Sequence, residues 1–144
     1  MDADIETDAQ SAYRLEDQVG FKLRLANQKH LELFSRMMPD VTPTQFAVLA
    51  RLRETGPLSQ NHLGRLVGMD AATTKGVVDR LKAKGFVGSA RSQTDMRRLD
   101  ISLTDAGQIF VEDAVKIAQD ITRATLHNLT PRERERLLVL LDKL

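Results

Sequence analysis

Between Ser59 and Leu103 the chain carries two short helical patterns separated by a glycine turn and followed at once by a basic hairpin pattern; few folds accommodate that order. The first pattern, SQNHLGRLV, opens on Ser59 as an N-capping residue, with Leu58 and Leu63 spaced as a hydrophobic staple across its start. Gly68 closes it, and Asp70 is placed to cap a second helix that ends at Gly85. On this second helix Thr74, Val77, Val78 and Leu81 recur at i, i+3, i+4 and i+7, which predicts a buried stripe. Ala71, Ala72, Thr73, Lys75 and Gly76 then face outward. They make a narrow, slightly basic leading surface of the kind that enters a DNA major groove. Leu99, Ile101 and Leu103 alternate with polar residues as a return strand, and the hairpin tip SQTDMRR carries Arg97 and Arg98. The pattern predicts a winged helix-turn-helix that binds DNA: mainly α, with a small β-hairpin wing.

Charge is distributed to match. From Arg51 to Arg98 there are ten Lys or Arg against four acids, a local excess of six, although the whole chain carries a net charge of only +1. A basic centre between acidic flanks is the footprint of a DNA-reading surface, though basic residues also serve simply to solvate exposed helix faces. Coincidence of the charge with helix, turn, helix and wing favours the first reading. At 144 residues the chain supports one modest core. It has no apolar run of the roughly 18–20 residues a membrane span needs, and the acidic start MDADIETDAQ has the wrong composition for a secretory signal. Cysteine is absent, which excludes a disulfide framework and any thiol-based sensor and fits a reducing cytoplasm.

The flanks read as a helical scaffold. Residues 1–11 are expected to be a disordered acidic tail, and residues 12–144 a single domain. From about residue 12 to 38 a long helix is expected, on which Val19, Leu23, Ala26, His30, Leu33 and Met37 form a coiled-coil-like stripe. Thr42-Pro43-Thr44-Gln45 signals a capped helix start, with Val41 and Phe46 as its staple. Thr104 caps a further long helix with Phe110, Ala114, Ile117 and Ile121 on one side, widened by Val111, Val115 and Ala118. Thr130-Pro131-Arg132-Glu133 opens the last helix, with Leu137, Leu138, Leu141 and Leu144 along one face. This is more apolar helical surface than the lobe at 43–104 covers. The economical resolution is an intertwined homodimer built on helices at 12–38 and 105–144; a monomeric bundle is the alternative.

Chemistry assigns roles on the DNA surface. Thr73 is suited to a base edge and a thymine methyl, Lys75 to guanine or phosphate, and Ala72 and Gly76 line the same leading face. Ser59, Gln60 and Asn61, at a helix N-terminus, suit phosphate oxygens, as does Arg80 on the outward side of the second helix. Arg91, on the same basic wing, is a further candidate for DNA contact. Arg97 is the candidate for a narrow minor groove. Asp95 is expected to orient an arginine by an ion pair, which leaves Arg98 either contacting or structural. Enzymatic constellations are missing: His30, His62 and His127 lack metal-ligand spacing, no glycine-rich loop follows a strand, and no cofactor is indicated. A winged fold repurposed for protein interaction would be expected to lack wing arginines, and this chain has them.

The segments TPTQFAVLARL, LGRLVGMDAATTKGVVDRLKAKGFV, Asp95-Met96-Arg97-Arg98 and LTDAG at 103–107 together resemble the MarR family of bacterial transcription regulators, from about Gly20 to Leu144. The resemblance implies six helices with the wing between the fourth and fifth, and a winged-helix dimer on a pseudo-palindromic operator. It also implies a repressor released by a small molecule. One departure is Lys75-Gly76, where many members carry a small hydroxylic residue and then Arg, so base contacts do not carry across. Gly76 costs about 1 kcal/mol of helix propensity relative to Ala, and close approach of backbone to DNA is one reason to keep it. The resemblance also places an effector pocket between the dimer helices and the winged lobe. There His30 and Asn27 are candidates to grip an aromatic acid or phenol, Phe34 and Phe46 to contact its ring, and Arg24 or Arg51 to pair with its carboxylate. Equally, His30 in an apolar seam has a purely structural use in bonding a carbonyl or a partner carboxylate. GFKLRLANQKH at 20–30 is similar to the branch controlling aromatic-acid catabolism, hydroxynicotinate or a related acid.

Overall fold

The computed structural model describes residues 12–144; the tail expected over 1–11 lies outside them. The first long helix begins later than its polar periodicity suggests. Leu15–Asp17 forms a 3-10 turn, Gln18 is extended at φ −87° and ψ 135°, and α1 runs Val19–Met37. Ahead of Val19, Tyr13 and Leu15 are exposed, so neither packs residues 12–18 into a continuous helix against the other described residues.

The remaining elements start where side chains supply the missing acceptors of a helix N-terminus. Thr42 and Gln45 make a reciprocal capping box at α2, Pro43–Thr55. A two-residue strand β1, Leu58–Ser59, leads directly into α3, Gln60–Val67, where Ser59 Oγ accepts the amide of His62 at 3.3 Å. Gly68 at φ +71° makes the left-handed turn that a side chain would resist, and Asp70 then accepts the Thr73 amide at 2.7 Å to open α4, Ala71–Ala83. Strands β2, Val87–Arg91, and β3, Leu99–Leu103, form the wing hairpin. Thr104 caps α5, Asp105–Thr125, and Thr130 with Glu133 boxes α6, Pro131–Leu141.

The sheet is antiparallel in the order β1-β3-β2, with Leu58 opposite Ile101 and Val87 opposite Leu103. One apolar core ties α1–α5 and the sheet together. Phe34 of α1 and Met38 just past its end meet Val48, Leu49 and Leu52 of α2, Leu63 of α3, and the α4 stripe of Val77, Val78 and Leu81; Val111 and Ile121 of α5 close it. Thr74, the polar member of the α4 stripe, is buried and donates its hydroxyl to Asp70 O at 2.7 Å. The architecture is therefore six helices and a small three-stranded sheet, a winged helix-turn-helix. Among the described residues no helix is long and apolar enough to cross a membrane.

Candidate nucleic-acid interface and effector cavity

The reading surface is built on α4. Burial of Thr74, Val77, Val78 and Leu81 fixes the rotation of the helix, and this leaves Ala72, Thr73, Lys75 and Arg80 exposed and Gly76 half-buried. Lys75 Nζ reaches Asp79 Oδ2 at 2.7 Å, one helical turn on, and that hydrogen bond holds the Asp79 carboxyl below its usual range. The Asp70 carboxyl is likewise lowered, by the backbone amide of Thr73 that it accepts. Ser59 spends its hydroxyl on the cap, while the amides of Gln60 and Asn61 in the first turn of α3 have no intrahelical acceptor.

The wing tip is internally bonded. Ser92, 3% exposed, accepts the amides of Thr94 and Asp95 and one guanidinium N–H of Arg98. Asp95 takes neither arginine side chain; its Oδ1 accepts the backbone amide of Arg97 at 3.0 Å, and its carbonyl accepts that of Arg98. The ion pair expected of Asp95 is thus replaced by a turn cap, the common use of an aspartate two residues before an amide. Arg98 instead pairs with Asp100 at 2.9 Å, and Arg91 donates to Met96 O at 2.8 Å. The Arg97 side chain is exposed and has no hydrogen-bond or ionic partner among the described residues.

A second feature lies between α1, α2 and α5. His30, Phe34, Pro43, Phe46, Ala118, Ile121 and Thr122 line a cavity of about 240 Å³. Phe34 stands between His30 and Phe46, tilted, with centroids 6.4 and 6.3 Å away. His30 Nδ1 lies 2.9 Å from Thr125 Oγ1, which pins the ring to α5 and leaves Nε2 for another partner. Of the six residues expected here, the structure brings together His30, Phe34 and Phe46. Asn27 is exposed and does not line the cavity. Arg24 lies over the Phe21 ring at 5.4 Å, because six residues from His30 is about 120° round the helix. Arg51, five residues past Phe46, sits about 140° away and pairs with Glu54 at 2.7 Å. Thr122 and Thr125 were not expected, although extending the α5 stripe by four residues from Ile121 reaches Thr125.

A helix-turn-helix with an internally bonded hairpin wing in a three-stranded sheet, carried on long helices, defines a winged-helix transcription regulator. Residues 41–99 match the MarR family. Over 134 residues, 92% of this chain and 85% of the relative, the sequence is 34% identical to the HTH-type transcriptional repressor NicR of Pseudomonas putida. The fold is similar to that of a probable transcriptional regulator from Pseudomonas aeruginosa, with TM-score 0.87, 47% identity and coverage of 90% of this chain and 98% of that one. It is also similar to BpsR of Bordetella bronchiseptica, solved to explain regulation of its DNA binding by 6-hydroxynicotinic acid; there the TM-score is 0.85 with 36% identity over 91% and 95% of the two chains. The chain belongs to the MarR family, and it is a transcription regulator rather than an enzyme.

Proposed function

We propose that the protein is a cytoplasmic repressor that binds a pseudo-palindromic operator as a homodimer and is released by a single-ring aromatic acid or phenol. The observation that carries this reading is the pairing of an exposed α4 surface with a wing arginine, Arg97, whose side chain has no hydrogen-bond or ionic partner among the described residues. In the complex Thr73 and Lys75 face base edges across the small surface of Ala72, and the first turn of α3 at Ser59, Gln60 and Asn61 takes phosphate. Arg97 enters the adjacent minor groove, while Arg91 and Arg98 hold the wing in shape.

Dimerisation is supported by α6 and the residues after it, where Leu138, Val139, Leu140, Leu141 and Leu144 are all exposed, and by Val19 and Leu23 on α1. Such apolar surface on a soluble chain calls for a partner, and a second copy through 12–38 and 105–144 is the symmetric solution. The cavity supports the effector class. An apolar cavity of ~150 Å³ holds benzene, so 240 Å³ bounded by two phenyl rings and an imidazole suits one ring with polar substituents. The similarity to BpsR, whose DNA binding is regulated by 6-hydroxynicotinic acid, supports 6-hydroxynicotinate as the first compound to try.

Sedimentation and footprinting test this reading. The expected result is twice the chain mass at micromolar concentration and protection of two half-sites about one helical turn apart. A monomer, or protection without dyad symmetry, would contradict it.

A further inference from the structure

The two basic side chains on the outward part of α4 are treated differently by their neighbours. At about 100° per residue, Ala72, Gly76 and Asp79 lie opposite the buried stripe, with Lys75 on one flank and Arg80 on the other. Lys75 is tied to Asp79 across one turn. Arg80 is exposed, and among the described residues neither a carboxylate nor a carbonyl takes any of its N–H groups.

Helical side chains lean toward the N-terminus, so residue 80 covers position 76. At position 76 there is no side chain. A Cβ built there would lie 3.3 and 3.8 Å from the two Arg80 Nη atoms and 3.9 Å from Cζ, so the guanidinium lies over the place where a side chain at 76 would begin, near the outward midline. With an alanine at 76 the nearer Nη has to give by a few tenths of an ångström, and a longer side chain displaces the guanidinium further. A glycine in mid-helix carries a propensity cost, and among the described residues the three nearest atoms that a Cβ at 76 would meet all belong to the Arg80 guanidinium.

We propose that Gly76 is a seat that fixes Arg80 as a base-reading group, presenting its fork to guanine O6 and N7, in place of the phosphate contact that its position on the helix flank alone suggests. This rests on the DNA-binding reading above and names a specificity determinant within it. Gly76 acts here through Arg80, as a positioning residue, and not through clearance between backbone and DNA.

The two roles for Gly76 separate in a double-mutant cycle. The probe is the duplex that the wild-type full chain enriches from a randomised pool, together with variants in which each G·C pair is replaced. Dissociation constants come from fluorescence anisotropy and stability from thermal melts of wild type, Gly76→Ala, Arg80→Ala and the double variant. Arg80→Ala is expected to weaken binding about five- to a hundredfold and to flatten the preference at one G·C pair per half-site. Gly76→Ala is expected to weaken binding several-fold at that same pair while raising the melting temperature, and to have no further effect once Arg80 is gone. An equal loss from Gly76→Ala with and without Arg80 overturns the seat in favour of backbone clearance. No loss at all from Gly76→Ala, or a uniform loss on every duplex from Arg80→Ala, also overturns it. If the wild-type chain enriches no duplex, the DNA-binding reading itself fails, and the assignment of Arg80 with it.

Discussion

Replacing Gly107 by Ala adds one methyl group and improves helix propensity, yet the packing around it predicts a large loss of stability. Gly107 is the third residue of α5, and the first turn of that helix is pressed against the carbonyl of Phe86. A Cβ at this position would lie 1.9 Å from Phe86 O, 2.8 Å from its carbonyl carbon and 3.1 Å from its Cα. Even close C–H···O contacts keep carbon and oxygen about 3.3 Å apart, and all three obstructing atoms are backbone, so helix and turn have to separate by more than an ångström. That separation strains two hydrogen bonds, Thr104 N–H to Phe86 O at 3.0 Å and Thr104 Oγ1 to Gly85 O at 2.6 Å. It also opens the stacked Phe86–Phe110 pair, 4.5 Å between centroids. Overpacking costs about 1–3 kcal/mol, and each hydrogen bond or the aromatic pair adds about 0.5–1.5 kcal/mol where lost. The gain in propensity is about 1 kcal/mol, leaving a net loss of about 2–4 kcal/mol. For a chain of this size that lowers the melting temperature by roughly 6–12 °C. Differential scanning calorimetry at matched protein concentration checks it, since a dimer's melting point depends on concentration. An unchanged or higher melting temperature refutes the packing argument, because propensity alone then decides.

Arg97→Ala is expected to weaken operator binding by about 1–3 kcal/mol with the dimer and melting temperature unchanged; equal affinity for parent and variant removes Arg97 from the interface. His30→Ala is expected to keep operator binding but to need far more 6-hydroxynicotinate for release, since only a difference in affinity between two states shifts them. If His30 merely ties α1 to Thr125, the variant instead loses melting temperature and DNA affinity together, with the ligand response intact. The Glu112 carboxyl is held below its usual range by hydrogen bonds from Arg53 at 2.8 and 3.1 Å, as Glu133 is by Thr130. A lowered folded-state pKa means that this contribution is complete above the ordinary carboxylate value of about 4 and disappears as pH falls through it and below. Glu112→Gln is therefore expected to lower the melting temperature at pH 7 and to leave it nearly unchanged at pH 3; an equal loss at both values contradicts the linkage.

Local chemistry was the legible part of this chain. Thr42, Ser59, Asp70, Thr104 and Thr130 each cap the helix that their spacing announces, since a cap needs only residues three apart. The α4 stripe and the β3 alternation are equally local. What depends on distant partners was harder to see. Strand β1 is two residues long, too short for alternation, and exists only because Leu58 and Ser59 lie beside Ile101 and Asp100. Arg24 and Arg51 were plausible carboxylate partners by charge, but helix rotation, set by the core, turns both away from the cavity. Asp95 had two arginines within three residues and chose a backbone amide, because the tight wing turn exposes that amide nearer than either guanidinium. The Arg80 guanidinium over Gly76 needed the side-chain lean of a real helix to be seen.

The most direct measurement is the affinity for the selected operator duplex, titrated by anisotropy across salt concentrations with and without 6-hydroxynicotinate. A dimer that neutralises four or more phosphates gives a slope of log affinity against log salt of about −4 or steeper. Added ligand is expected to lower affinity at least tenfold at every salt concentration, in proportion to its preference for the released state. A slope near zero, or an affinity that neither 6-hydroxynicotinate nor any other single-ring aromatic acid or phenol changes, would contradict a ligand-released DNA-binding repressor.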